Sequence, residues 1–170
     1  MQTIRRFTAA ALLPLALAAA PMAAQESTTW TWNGTLAEGR TAIVHNVNGS
    51  VEVAELRGRV EANTVNGNVE AASSGGPVRA RTVNGSIRAR GLIASDGLDY
   101  ETVNGSIEIE LPPDANADVS LRTTNGRVTS DFPITFTGEI NPRRIEAKLG
   151  DGGPELRART VNGGIRLRKQ

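Results

Sequence analysis

Cysteine is missing from this chain, which excludes a disulfide framework, a thiol nucleophile, a cysteine-ligated metal and a lipid-attachment site together. Histidine is nearly missing: His45 stands alone, so neither a histidine-based triad nor a histidine metal cluster has anything to be built from, and no catalytic or metal-ligating residue is expected. Beyond Phe7 the aromatics are only Trp30, Trp32, Tyr100, Phe132 and Phe136, too few for the lipid-facing girdles of an outer-membrane barrel. No Asp-rich calcium loop occurs, and no glycine-rich phosphate loop leads into a helix, so no cofactor is expected either.

Long apolar runs are absent except at the start. Arg5 and Arg6 precede an apolar stretch from Phe7 to Leu17, and a small-residue run then ends at Ala24 before polar Gln25. These are the three parts of a secretory signal peptide, expected over residues 1–24 with cleavage near Ala24, leaving one domain over 25–170. The apolar part is short for a membrane anchor and Pro14 interrupts it. Nothing later approaches the ~20 apolar residues of a transmembrane helix, so an exported product, periplasmic or extracellular at the cell surface, is expected. Removing Arg5 and Arg6 from the 19 basic residues leaves 17 against 18 acidic ones, a net charge near −1. Such a chain has no overall pull on a polyanion, and nucleic-acid binding is not expected.

What the chain has in quantity is one motif. Asn-Gly steps recur within similar octets at Asn48-Gly49, Asn66-Gly67, Asn84-Gly85, Asn104-Gly105, Asn125-Gly126 and Asn162-Gly163. The asparagines are spaced 18, 18, 20, 21 and 37 residues apart, a unit of about twenty with room for two in the last interval. Six before each Asn stand Val60, Val78, Leu98, Val119 and Leu156; four before stand Ala62, Ala80, Tyr100, Leu121 and Ala158. Val47, Val65, Val83, Val103, Thr124 and Val161 come one before, and Val51, Val69, Ile87, Ile107, Val128 and Ile165 three after. Period-two alternation of this kind belongs to strands, and its parity changes across the Asn-Gly step, so the chain turns a corner there. Asn and Gly tolerate the positive φ such a corner is expected to need.

A hairpin meander would ask only for alternation, whereas here the same residue types recur in the same column. Charge adds to this: three before the Asn come Asn63, Arg81, Glu101 and Arg122, five before come Glu61, Arg79 and Asp99, and four after come Glu70, Arg88 and Glu108. Arg90 and Glu110 follow six after. Units stacked in chain order at about 4.8 Å would set these opposite signs face to face and so define register. The expected fold is therefore all-β, a single-stranded β-solenoid of stacked coils. A column of buried Asn side chains would either hydrogen-bond along the stack or serve only the turn, and the sequence leaves both open.

The ends are less regular. Trp30 and Trp32 share a face of a first strand and are candidates for an end cap or a glycan contact. Between Asn125 and Asn162, Pro133, Pro142 and Pro154 interrupt the pattern and Gly150-Asp151-Gly152-Gly153 makes a turn. Ile145, Ala147 and Leu149 still alternate, which suggests one atypical coil. Arg166, Arg168 and Lys169 close the chain, where their charges would keep further strands off a final edge. Asp96, Asp99 and Glu101 are the acidic group that a polysaccharide-cleaving β-helix would use, but the column pattern already supplies Asp99 and Glu101 with arginine partners.

The TVNG-[S/N/G]-[I/V] units, SDFPI at 130–134 and LGDGGPELRARTVNGGIRL at 149–167 resemble the bacterial adhesin-like β-strand-repeat family, largely of unknown function, from about Trp30 to Lys169. The resemblance implies an all-β solenoid outside the cytoplasm, related to domains of envelope-stress regulators, and brings no catalytic residues. Thr124 in a valine column and the missing corner after Asn125 depart from it. The expected function is an exported, non-enzymatic binding or scaffolding module that meets an envelope protein or glycan. A polysaccharide-active enzyme and an end-to-end self-assembling structural protein are the alternatives.

Overall fold

The computed structural model describes residues 4–8, 29–35, 41–73, 77–91, 93, 97–136 and 141–170. Alternating apolar residues produce sixteen short strands among these, and no helix. Two lie at the start, β1 (Ile4–Thr8) and β2 (Thr29–Thr35). Coils follow as strand pairs joined at an Asn-Gly corner: β3 (Thr41–His45) with β4 (Val51–Arg57), β5 (Arg59–Asn63) with β6 (Val69–Ser73), β7 (Val78–Asn84) with β8 (Ile87–Gly91), and β9 (Leu98–Asn104) with β10 (Ile107–Leu111). Then come β11 (Ala117–Asn125) with β12 (Val128–Ser130), β13 (Ile134–Phe136), β14 (Arg144–Leu149), and last β15 (Glu155–Asn162) with β16 (Ile165–Lys169).

The strands form two eight-stranded sheets, ordered β1-β2-β4-β6-β8-β10-β16-β12 and β13-β14-β11-β15-β9-β7-β5-β3. Neighbours run parallel except at β11–β14 and β13–β14. The inward columns of both sheets make one continuous core, with Val60, Ala62, Val69, Ile87, Leu98, Ile107, Leu156 and Ile165 all buried. The all-β solenoid expected from the columns is the fold observed.

The order of the coils is not the order of the chain. The final coil, β15–β16, lies between β9–β10 and β11–β12, so the chain skips a space after Leu111 and fills it last. Two features make this the better order. Asp99, Glu101, Glu108 and Glu110 stand in register with Arg157, Arg159, Arg166 and Arg168 on one side and with Arg79, Arg81, Arg88 and Arg90 on the other. An all-acidic coil is thus held between two basic ones, whereas β11–β12 would have set Ser120 against Asp99 and left that side less complementary. Space agrees with charge: Tyr100, the bulkiest inward side chain of its column, is flanked by Ala80 and Ala158, while β11 would have brought Leu121 there.

Three expectations change accordingly. Arg122 does not face Glu101; Arg159 does, and Arg122 faces Arg159. The charged C-terminus does not guard an edge, because β16 is paired on both sides. The segment carrying Ile145, Ala147 and Leu149 is an antiparallel cap: β14 buries these residues against β11, in register with Leu121, Val119 and Ala117. Alternation reports which face a residue takes and is blind to strand direction. Pro133, Pro142 and Pro154 stand one or two residues ahead of β13, β14 and β15, where a missing N–H is tolerated. The turn at 150–153 carries the chain across β11, with Gly150 at φ 58° and Gly152 at φ 81°.

At the other end β2 lies in register with β4, Trp30 opposite Val51 and Trp32 opposite Val53. Of the expected leader, Ile4–Thr8 forms β1 on the far side of β2; residues 9–24 lie outside the described residues.

If β15–β16 is an internal coil, its amides will exchange with deuterium as slowly as those of Leu98–Leu111; exchange as fast as at the stack ends would contradict the insertion. Removing residues 154–170 is expected to abolish the cooperative melt rather than shave one repeat from it. Burial also pushes the Tyr100 phenol above its ordinary pKa of 10.0. Because the folded-state value is the raised one, stability should hold below about pH 10 and fall as pH rises beyond it, a fall that Tyr100→Phe removes in denaturant melts.

Candidate functional site

Each corner is built from a five-residue run, and each residue has its own task. The Thr two before the Asn is buried and its hydroxyl donates to the Gly carbonyl of the neighbouring coil: Thr64 to Gly49 at 3.1 Å, Thr82 to Gly67 at 3.0 Å, Thr102 to Gly85 at 2.9 Å, Thr160 to Gly105 at 2.9 Å and Thr123 to Gly163 at 2.8 Å. The glycine is required mainly by that closeness. A Cβ on Gly67, Gly85 or Gly105 would lie 1.9–2.0 Å from the preceding Gly carbonyl oxygen, and one on Gly126 equally close to that of Gly163. Positive φ, the reason expected from the sequence, applies only to Gly49 and Gly163 among the corner glycines.

The asparagines form a ladder, and they are exposed rather than buried. Each side-chain amide donates to the carbonyl of the Asn before it in the stack: Asn66 to Asn48 at 3.0 Å, Asn84 to Asn66 at 2.8 Å, Asn104 to Asn84 at 2.9 Å, Asn162 to Asn104 at 2.8 Å and Asn125 to Asn162 at 2.8 Å. The ladder follows the inserted coil order, passing through Asn162 before Asn125. Two residues on, Asn68 Oδ1 accepts the Ser86 amide N–H, Ser86 Oγ that of Ser106, and Ser106 Oγ that of Gly164. Three columns of side-chain bonds therefore tie the coils together at one corner.

The valine before each Asn points out. Val47 is 62% exposed and Val65, Val83, Val103 and Val161 are 37–40% exposed, although an alternating apolar column reads as interior. With Thr124 they make a straight stripe at one strand spacing per residue, about 19 Å from Val47 to Val161. Single exposed valines are ordinary, but an aligned row is an apolar patch with a fixed period. Sequence reasoning missed this because the Thr, not the Val, continues the inward parity of the strand.

The flat faces carry ion pairs. Arg79 reaches Asp99 at 3.4 Å, Arg81 reaches Asp99 and Glu101 at 3.5 Å, and Arg88 reaches Glu108 at 3.6 Å. Arg168 meets Glu108 at 2.9 Å and Arg90 meets Glu110 at 2.7 Å, a hydrogen bond that pushes the Arg90 guanidinium further above its ordinary range. The candidate acidic wall is thus engaged at Asp99 and Glu101, and Asp96 lies outside the described residues. Beside it a cleft of about 160 Å³ is lined by Arg59, Glu61, Arg79, Asp99, Glu155 and Arg157. His45 is exposed with Nδ1 3.5 Å from the Asn63 amide, and no group of metal-ligating side chains occurs among the described residues. No helix among the described residues is long and apolar enough to cross a membrane. Trp30 and Trp32 stand on β2, in register with β1 on one side and β4 on the other.

A family model described as Toastrack DUF4097 matches residues 37–168, and the chain belongs to that family. No curated protein and no solved structure matches it. The family is a β-repeat family of unknown function, so it carries the architecture expected from the TVNG units and no adhesive activity with it.

The ladder's contribution is measurable. Asn84 donates one ladder bond and accepts another, so Asn84→Ala should cost about 1–2 kcal/mol in denaturant melts; a loss of only a few tenths would make the ladder passive. Gly85→Ala, which drives a methyl into the Gly67 carbonyl, should cost more than about 3 kcal/mol.

Proposed function

We propose that this Toastrack chain is an exported, non-enzymatic binding and scaffolding module of the cell envelope or secreted space, adhesin-like in presenting a rigid repeating surface to a protein or glycan. The observation that carries this reading is the corner ridge: exposed valines beside a hydrogen-bonded asparagine ladder, repeating at one strand spacing. Such a ridge is pre-organised. Its backbone is held by neighbouring coils and its amides by one another, so a partner orders little on binding. Each laddered amide keeps a second N–H and a second carbonyl lone pair for that partner, next to an apolar contact that excludes water.

Several observations support the non-enzymatic part. Asp99 and Glu101 are engaged by arginines, which suits holding register better than moving protons. The cleft beside them is well below the ~300–1,000 Å³ of usual small-molecule sites. Export rests on the three-part leader at residues 1–24.

Crosslinking in living cells, followed by binding of the purified chain to the envelope protein or glycan recovered, tests the ridge. Val83→Asp and Val103→Asp should each weaken that binding at least about ten-fold with the melting transition retained. A partner indifferent to both substitutions would remove the ridge from the proposal, and glycan turnover lost in Asp99→Asn would replace it with an enzyme. Sequencing the protein recovered outside the cytoplasm should find Gln25 at its N-terminus.

A further inference from the structure

The charge rule that orders the middle of the stack does not hold at its flanks: Glu52 stands opposite Glu70, Asp118 opposite Glu155, and Arg122 opposite Arg159. Coil β9–β10 meets an opposite sign at all four of its charged outward positions on each side. On the far side of the inserted coil, Arg157, Arg159 and Arg166 meet Ser120, Arg122 and Thr129 instead. Arg122 has Arg159 directly opposite on one side and Arg144 on the other, so three guanidinium groups form a row across β15, β11 and β14. Arg127 stands at the adjoining corner, its carbonyl accepting the Ile165 N–H, and Arg143 lies beside it, its carbonyl accepting the Thr123 N–H.

Arg122, Arg127, Arg143, Arg159 and Arg166 are all exposed, and among the described residues none of them makes an ion pair. Of the neighbouring arginines, Arg144 is paired with Glu146 and Arg157 with Glu155. Glu101 stands in register with Arg159, but its ion pair is with Arg81. Like charges directly opposite in a sheet destabilise it, and a row of three basic residues kept against that cost is where function is expected. The near-neutral charge of the whole chain conceals this cluster.

We infer that these arginines form a docking surface for a layer of anionic lipid headgroups. Guanidinium forks match phosphate oxygens, and here they spread over two dimensions, along the stack and around the corner, which suits a headgroup layer better than a single linear polyanion. The apolar stripe ends among them: Val161 lies two residues from Arg159 on the same outward parity, and Thr124 lies two from Arg122. Basic groups flanking exposed aliphatic ones are the pairing by which peripheral surfaces enter an anionic interface. This goes beyond the protein or glycan partner proposed for the valine ridge, and either can fail alone.

Vesicle co-sedimentation of the full chain decides it. The chain should bind phosphatidylcholine vesicles containing phosphatidylglycerol, not pure phosphatidylcholine, and release them at high salt. The double variant Arg122→Glu/Arg159→Glu should lose at least about ten-fold in bound fraction. Arg122→Gln/Arg159→Gln, which removes the like-charge pair without creating another, should melt no lower than the parent and must show the same loss in bound fraction. Equal binding to both vesicle types, no binding to either, or unchanged binding by the variants would overturn the inference. Tighter binding to a single-stranded oligonucleotide than to the anionic vesicles would overturn it in favour of nucleic acid.

Discussion

Coils that hydrogen-bond to their neighbours through the backbone sit one strand spacing apart, and everything else in this molecule answers to that distance. Each residue touches the residue of the same column above and below it. The consequence is severe at the corner, where a glycine carbonyl leaves no room for a Cβ on the next glycine in the stack. It is also productive there, since the same closeness lets threonine hydroxyls, asparagine amides and serine oxygens bond from coil to coil. Repetition of the TVNG octet is the sequence expression of one contact made repeatedly.

The same spacing turns outward charge into an ordering device. Individual exposed ion pairs are weak, each about 0.2–1 kcal/mol, and their value here lies in discrimination rather than stabilisation. A coil of four acids is complementary to two basic coils and to nothing else in the chain, and the last coil is one of those two. The alanine opposite Tyr100 makes the same choice by volume. Insertion then places the remaining arginines side by side at the end of the stack, so the charge cluster on β11, β14 and β15 is a product of the coil order.

Much of the fold was legible. The inward columns at six and four before the Asn and at three after it are buried as the alternation implied, and the Arg81–Glu101 and Arg90–Glu110 pairs form as the columns implied. The valine column was legible as apolar but not as exposed, because the Thr beside it, its hydroxyl satisfied by a carbonyl, takes the inward place in the strand's unbroken alternation. The direction of β14 was hidden for a related reason: Ile145, Ala147 and Leu149 present the same alternation in either orientation. The Asn ladder was readable only as one of two options, since its bonds exist between coils and not within one.

Sequence alone determined that the chain is a stack of strands turning at Asn-Gly, that the columns six and four before the Asn and three after it line its interior, and that the acids of β9–β10 are set for basic neighbours. It did so because those properties belong to a single unit and its period. Which coil lies beside which was decided only in three dimensions. Register and burial are local to a repeat, but adjacency is a competition among all repeats for the same neighbours. That competition put Arg159 rather than Arg122 beside Glu101, and it left the valine ridge and the arginine cluster where they stand.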